Sequence, residues 1–195
     1  VRVHGDDGMM YARAYSDVVE IPWTGPTFTI PVASISIDGD RNDWAGIQPA
    51  FVDEVGDEEP DADFAGADIS ELYLSKDNAY YYFMIRLFDG SPLENMLYVF
   101  WARQSQFTVG TPGDLYTHFN LSNGDPQIGV YKVDEQGQYI NVALYSQDYG
   151  AAGLDFVEWR VPVEDIENLN NKYIRVYTHH NLGDPLTPAS DHNMT

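Results

Sequence analysis

The chain contains no cysteine, so neither disulfides nor thiolate metal sites are open to it. Basic charge is its second scarcity: 10 Lys and Arg stand against 31 Asp and Glu, a formal net charge of −21. Nucleic-acid binding rests on cationic contacts to phosphate, and anionic membrane surfaces make the same demand, so this balance disfavours both partners. No run of about 18 apolar residues occurs, so no transmembrane helix is encoded and no membrane insertion is expected. The chain opens on Val1-Arg2-Val3 with neither an initiator Met nor a signal peptide, and a processed or excised fragment is the expectation. What is present suffices for a globular core: 44% apolar and 14% aromatic residues over 195 positions, the size of one generous domain. Such an acidic composition fits an extracellular protein, secreted or at the cell surface, in salty or calcium-containing water.

Short apolar stretches separated by turn signals dominate the chain. Strands are expected at 33–37, 68–75, 79–88, 95–103, 114–121, 127–133, 138–146, 155–163 and 173–179. Between them stand Lys76-Asp77-Asn78, Asp89-Gly90, Thr111-Pro112-Gly113, Asn123-Gly124-Asp125 and Glu135-Gln136-Gly137. This spacing, with no long helical period, predicts an all-β fold: an antiparallel β-sandwich of jelly-roll or Ig-like kind with little helix. A single helical turn is expected after Pro162, at Val163-Glu164-Asp165-Ile166. Residues 1–31 read as an N-terminal hairpin and a proline-punctuated linker (Pro22 to Pro31), followed by the main sandwich over 32–195. The hairpin has two readings: the remnant of a preceding fibronectin-like module, or the first hairpin of the main domain.

Alternation within the strands assigns faces. Tyr81, Phe83, Ile85 and Leu87 oppose Tyr80, Tyr82, Met84 and Arg86. Leu97, Val99, Trp101 and Arg103 oppose Tyr98 and Phe100; Tyr116, His118 and Asn120 oppose Leu115, Phe119 and Leu121. Val157, Trp159, Val161 and Val163 oppose Glu158 and Arg160, and Ile174 and Val176 oppose Tyr173, Arg175, Tyr177 and His179. Were these strands neighbours, one sheet face would gather Tyr, Trp, Arg, His, Asn and Glu. Trp44, after a turn, and Trp159, among valines, read as core.

The densest charge lies between residues 53 and 68, where Asp53, Glu54, Asp57, Glu58, Glu59, Asp61, Asp63 and Asp68 fall within sixteen positions. Carboxylates so crowded repel one another unless solvent, salt or a cation neutralises them. Calcium takes six to eight oxygen ligands on flexible loops. Asp53, Asp57, Asp61, Asp63 and Asp68, with Gly56 and Gly66 permitting tight backbone, are the candidate ligands for Ca²⁺; the spacing is not that of an EF-hand. A solvated acidic loop is the other reading. Asp38, Asp40 and Asp43 form a weaker second cluster.

Ile37-Asp38-Gly39 followed by Trp44, Asp77 before Ala79-Tyr80-Tyr81-Tyr82-Phe83, and Glu158 before Val161-Pro162 together resemble the family 9 carbohydrate-binding modules and their DOMON-like relatives. The likeness covers about residues 33–180. It implies a β-sandwich with structural calcium that holds sugar between aromatic side chains, as modules appended to secreted glycoside hydrolases do. The expectation is therefore a non-catalytic module, covalently linked to neighbouring domains, that binds a polysaccharide or oligosaccharide. A sugar ring packs its C–H groups on an aromatic face while its hydroxyls need fixed donors and acceptors. Trp101 and Tyr116 are the stacking candidates, with Arg103, His118, Asn120, Arg86, Glu158 and Arg175 supplying hydrogen bonds. A calcium-stabilised structural or adhesion module without sugar affinity is the alternative. Met84 and His118, nominally on one face, would have to face each other across a pocket for a Met/His-ligated haem.

Overall fold

The computed structural model describes residues 15–21, 29–53, 68–88, 90–104, 108, 110–166, 169 and 172–180. Among the described residues eleven strands run in chain order: β1 Tyr15–Ile21, β2 Phe51–Val52, β3 Ile69–Lys76, β4 Tyr80–Leu87, β5 Met96–Arg103, β6 Leu115–Ser122, β7 Asp125–Val133, β8 Tyr139–Tyr145, β9 Gly150–Ala152, β10 Phe156–Pro162 and β11 Tyr173–His180. They form a six-stranded sheet, ordered β1-β11-β5-β6-β7-β8, and a five-stranded sheet, ordered β2-β3-β4-β10-β9. Every ladder is antiparallel. The only helical segments among the described residues are 3₁₀ turns at Arg41–Trp44 and Gln147–Tyr149. The fold is an antiparallel β-sandwich, as the turn spacing predicts.

The faces follow the alternation. Phe83, Ile85 and Leu87 of β4 and Val157, Trp159 and Val161 of β10 meet Tyr98 and Phe100 of β5, Phe119 of β6 and Ile174 and Val176 of β11 in the space between the sheets. Phe83 stacks on Trp159 at 5.1 Å and 13°, and Trp159 Nε1 donates to Thr117 Oγ1 across the sandwich at 3.1 Å. Asn123 and Gly124, both at positive φ, form the two-residue loop between Ser122 and Asp125. Asn-Gly is the pair such a hairpin turn selects, because both central residues must turn left-handed.

Three sequence expectations change. Residues 33–37 make no ladder; they follow an isolated bridge from Val32 to Lys76, and Ala33 is tied to β3 by its N donating to Lys76 O and its O accepting from Ser75 Oγ. Their alternation is nonetheless meaningful, since Ile35, with Ala33 and Ile37, packs with Trp44, Tyr82, Met84 and Phe156 on the outer side of the five-stranded sheet. Trp44 is thus buried in a second, smaller core rather than between the sheets. β2 and β9 have too few residues to display a period. After Pro162 there is a turn closed by Asp165 N donating to Pro162 O, without a helix. The strand 15–21 pairs with β11 at the edge of the six-stranded sheet, whereas residues 1–14 and most of the Pro22–Pro31 segment lie outside the described residues.

One turn carries a pH-dependent stability. Asp77 accepts from Ala79 N (2.7 Å) and Tyr80 N (2.8 Å) through Oδ1, and from Ser34 Oγ and Tyr82 Oη (both 2.7 Å) through Oδ2. Burial pushes its carboxyl up, but these four donors outweigh burial and hold it well below the ordinary 3.8. The folded state therefore binds a proton less readily than the unfolded one. The stabilisation is complete above the ordinary carboxylate range and is lost as pH falls toward the lower folded value. Asp77→Ala is expected to cost about 2 kcal/mol at neutral pH, measured by urea unfolding, and to flatten the loss of stability below pH 4. A variant that unfolds with the wild-type acid profile would rule this out.

Candidate functional site

The six-stranded sheet carries the aromatic face. Its outer side is built in rows across the strands, because antiparallel partners share a face. Arg175 pairs with Trp101, Trp101 with Tyr116, Tyr116 with Tyr131 and Tyr131 with Asn141, a row over five strands. In the next row Tyr177 pairs with Val99, Val99 with His118 and His118 with Gly129. Leu97 and Asn120 form a further pair.

Trp101 is not an exposed platform: it is 1% exposed and packs with Val99, Tyr177, Leu97, Tyr116 and Tyr139. The Arg103 guanidinium lies 5.0 Å from its ring centre, and Tyr139 meets it edge-on at 6.4 Å. The half-buried rings are those further along the sheet. Tyr116 and Tyr131 stack at 4.5 Å and 8°, and His118 lies nearly parallel to both, at 6.2 and 5.7 Å. Gly129 makes this possible: a Cβ there would stand 2.5 Å from His118 Cε1 and 2.7 Å from Tyr131 Cε2. Burial lowers the His118 pKa to about 4, so its ring is neutral at physiological pH and offers one donor and one acceptor. Burial raises the Tyr116 hydroxyl, with the neighbouring Tyr131 and Tyr139 hydroxyls adding to it, and that hydroxyl stays protonated.

Arg103, Tyr116, His118, Asn120, Arg175 and Trp101 therefore share one face, as their alternation predicts. Arg86 and Glu158 do not join it. They belong to β4 and β10, which pair with each other in the five-stranded sheet, and both lie on that sheet's outer side. Arg86 Nη1 binds Glu71 Oε2 at 3.0 Å and its Nε binds Asp155 Oδ2 at 3.2 Å. Glu158 is fully buried, with Oε1 accepting from Asp38 N (3.0 Å) and Gly39 N (2.8 Å) and Oε2 from Trp44 Nε1 (2.8 Å). It fastens the first turn and its tryptophan to β10, a role that sequence reasoning missed. Alternation fixes a residue's face but not its sheet, and that is the origin of the error. Met84 and His118 are likewise on opposite outer sides of the sandwich, so this pair cannot hold one haem between them.

Of the candidate calcium ligands, Asp57, Asp61 and Asp63 lie outside the described residues. Asp53 is half-buried and Asp68 buried, at the two ends of the acidic segment. Asp53 N donates to Ser70 O and Phe88 N to Asp68 O, each at 2.9 Å, which ties both ends to the five-stranded sheet. Among the described residues no group of three or more His, Cys, Asp and Glu is placed to hold a metal ion. Near the first turn, Asp38 Oδ1 accepts from Asp40 N, Asp40 from Asn42 N and Nδ2, and Asp43 Oδ2 from Ser36 N; these carboxylates organise backbone.

The fold and face together define an antiparallel β-sandwich whose six-stranded sheet has an aromatic outer side, buried around Trp101, Arg103 and Arg175 and half-buried at Tyr116, His118 and Tyr131. No protein-family model, curated protein or solved structure matches the chain.

Proposed function

We propose that this chain is a non-catalytic carbohydrate-binding module of a secreted polysaccharide-degrading enzyme, similar to the family 9 modules, with calcium ordering its acidic loop. The observation that carries the reading is the cross-strand row Arg175, Trp101, Tyr116, Tyr131 and Asn141 beside His118, Arg103 and Asn120. Aromatic rings next to fixed donors and acceptors are what a sugar requires. Tyr116, His118 and Tyr131, the half-buried rings, take the stacking role in place of Trp101. Calorimetry against a panel of oligosaccharides is expected to give saturable heat, weakened roughly tenfold by Tyr116→Ala. Absence of heat with every sugar would remove this reading. A structural or adhesion module without sugar affinity would then stand, which the burial of Trp101 and the stacking of the rings on one another favour.

The calcium is proposed on the crowding of carboxylates from Asp53 to Asp68, and a bound ion would offset their repulsion. At a hundred- to thousandfold excess of Ca²⁺ over its dissociation constant, the gain in stability is about 3–4 kcal/mol. A chelator is expected to lower the melting temperature and added Ca²⁺ to restore it; identical melting curves with and without chelator would leave a solvated loop instead.

A further inference from the structure

Each sheet ends in two edge strands, and an edge strand presents a row of backbone N–H and C=O groups ready to pair with another strand. Three of the four edges are blunted. β2 and β9 are two and three residues long, and β1 contains Asp17 and Glu20. β8 ends the six-stranded sheet on its other side, and among the described residues β7 is its only partner strand. It is seven residues long, and the stretch 138–147 around it (QYINVALYSQ) holds no charge, no proline and no glycine in a chain of net charge −21. Leu144 and Ile140 stand 71% and 47% exposed on it. Of the devices that keep a sheet from extending, this edge has only a bulge.

The bulge decides which strand fits. Asn141 pairs with Tyr131 and Ala143 with Val130, so Val142 is the extra residue. Tyr139 packs with Trp101 and Tyr116 on the outer side, and Asn141 and Leu144 join the outer rows through Tyr131 and Gly129. Val142, Ala143 and Tyr145 pack against the core between the sheets, and Ile140, between Tyr139 and Asn141, takes that inner side. Ser146 is extended and continues the alternation outward. From Tyr139 to Ser146 the side chains therefore run out, in, out, in, in, out, in, out. Strands paired in one sheet must put opposed residues on the same face, and this order reads the same from both ends. A second copy, turned about a two-fold axis between Val142 and Ala143, matches it at every position. Tyr139 then opposes Ser146, Ile140 opposes Tyr145, Asn141 opposes Leu144 and Val142 opposes Ala143 of the second copy. The bulge, which would throw a regular strand out of register, meets its own image there. No pair sets carboxylate against carboxylate, as two chains with 31 acidic residues apiece require of any contact between them. We infer that β8 is a self-association edge, through which two copies of this chain join their six-stranded sheets into one continuous sheet. Such pairing involves no sugar and holds whether or not the aromatic face binds one.

Sedimentation velocity of the 195-residue chain between about 1 μM and 1 mM is expected to show a reversible monomer–dimer equilibrium. Salt of roughly 0.15 M screens the repulsion between copies beyond about 8 Å. Leu144→Lys puts a charge on the edge and should weaken the dimer roughly tenfold or more, with a melting curve establishing that the variant is folded. It also lowers the net negative charge, so long-range repulsion cannot account for the loss. The register has a separate test, because the chain has no cysteine. Asn141→Cys combined with Leu144→Cys sets thiols at opposed positions on one face of the pair, within reach of a disulfide. Within one chain the two positions lie roughly 10 Å apart along the strand, too far for that bond, and either single variant leaves its two copies as far apart. Oxidation is therefore expected to give a covalent dimer from the double variant and not from the singles. A wild-type chain that stays monomeric throughout the concentration range overturns the inference and leaves the edge to a strand of another protein. A dimer that Leu144→Lys does not weaken overturns it too, as does a double variant that cross-links no better than the singles.

Discussion

Replacing Glu158 by alanine is expected to lower the free energy of unfolding by about 3–5 kcal/mol. The carboxylate is fully buried on the outer side of the five-stranded sheet, beneath the segment that contains Trp44. It accepts from three donors on that segment: Asp38 N, Gly39 N and Trp44 Nε1. Each donor left unanswered away from water costs about 1–3 kcal/mol, and the exposed position of Asp38 lets solvent recover part of that. For a domain of this size the loss corresponds to a fall of roughly 6–20 °C in melting temperature. Trp44→Phe removes one of the three donors, so its cost should combine less than additively with Glu158→Ala in a double-mutant cycle. A loss below about 1 kcal/mol for Glu158→Ala would mean that the segment is held by apolar packing alone.

Glu158 also has a pH dependence opposite in sign to that of Asp77. Burial raises its pKa above the ordinary 4.5; the bonds from Trp44, Gly39 and Asp38 pull it back, and the Asp38 charge pushes it up again. Between the unfolded and the raised folded value the native state holds a proton that the unfolded state has released. Its contribution to stability is therefore greatest below the unfolded pKa and declines as pH rises through the folded one. The two carboxylates tilt the acid limb of the stability profile in opposite directions.

What the sequence made legible was whatever repeats with period two. In β4, Phe83 and Ile85 alternate with Tyr82 and Met84, and the structure puts the first pair between the sheets and the second against Trp44. The strand limits and the Asn123-Gly124 hairpin follow from equally local signals. The distribution of strands between sheets did not, because it depends on which strands pair, and a period of two is the same in either sheet. Hence alternation alone places Arg86 and Glu158 with Arg103 and His118, whereas pairing puts them in different sheets. The function of Glu158 was hidden for the same reason: its partners are 114 to 120 residues away. One local clue existed, a glutamate between Val157 and Trp159 in a strand otherwise nearly saturated with apolar residues. Such a carboxylate must find donors or be expelled. The burial of Trp101 was equally non-local, since it depends on Tyr139 from the far edge of the sheet and on Tyr177 from the strand on the other side.

Trp159→Ala is expected to have the larger effect of the two core substitutions, about 4–6 kcal/mol. Trp159 is wholly buried at the centre of the sandwich, face to face with Phe83 at 5.1 Å and tilted against Phe119 of the opposite sheet at 6.4 Å. Removing an indole from such a site costs about 3–5 kcal/mol through lost transfer energy and the cavity left behind. The rest comes from Thr117, itself fully buried on β6, whose hydroxyl loses the indole N–H that joins the two sheets. Trp159→Phe refills most of the space without replacing the donor, so it should cost only about 1–2 kcal/mol. Adding Thr117→Val to Trp159→Phe should recover part of that, because it removes the stranded hydroxyl along with its partner. Urea unfolding followed by far-UV circular dichroism measures all three without relying on the fluorescence of the tryptophan being removed. If Trp159→Phe proved as damaging as Trp159→Ala, the bond between the sheets rather than the filling of the core would dominate at this position.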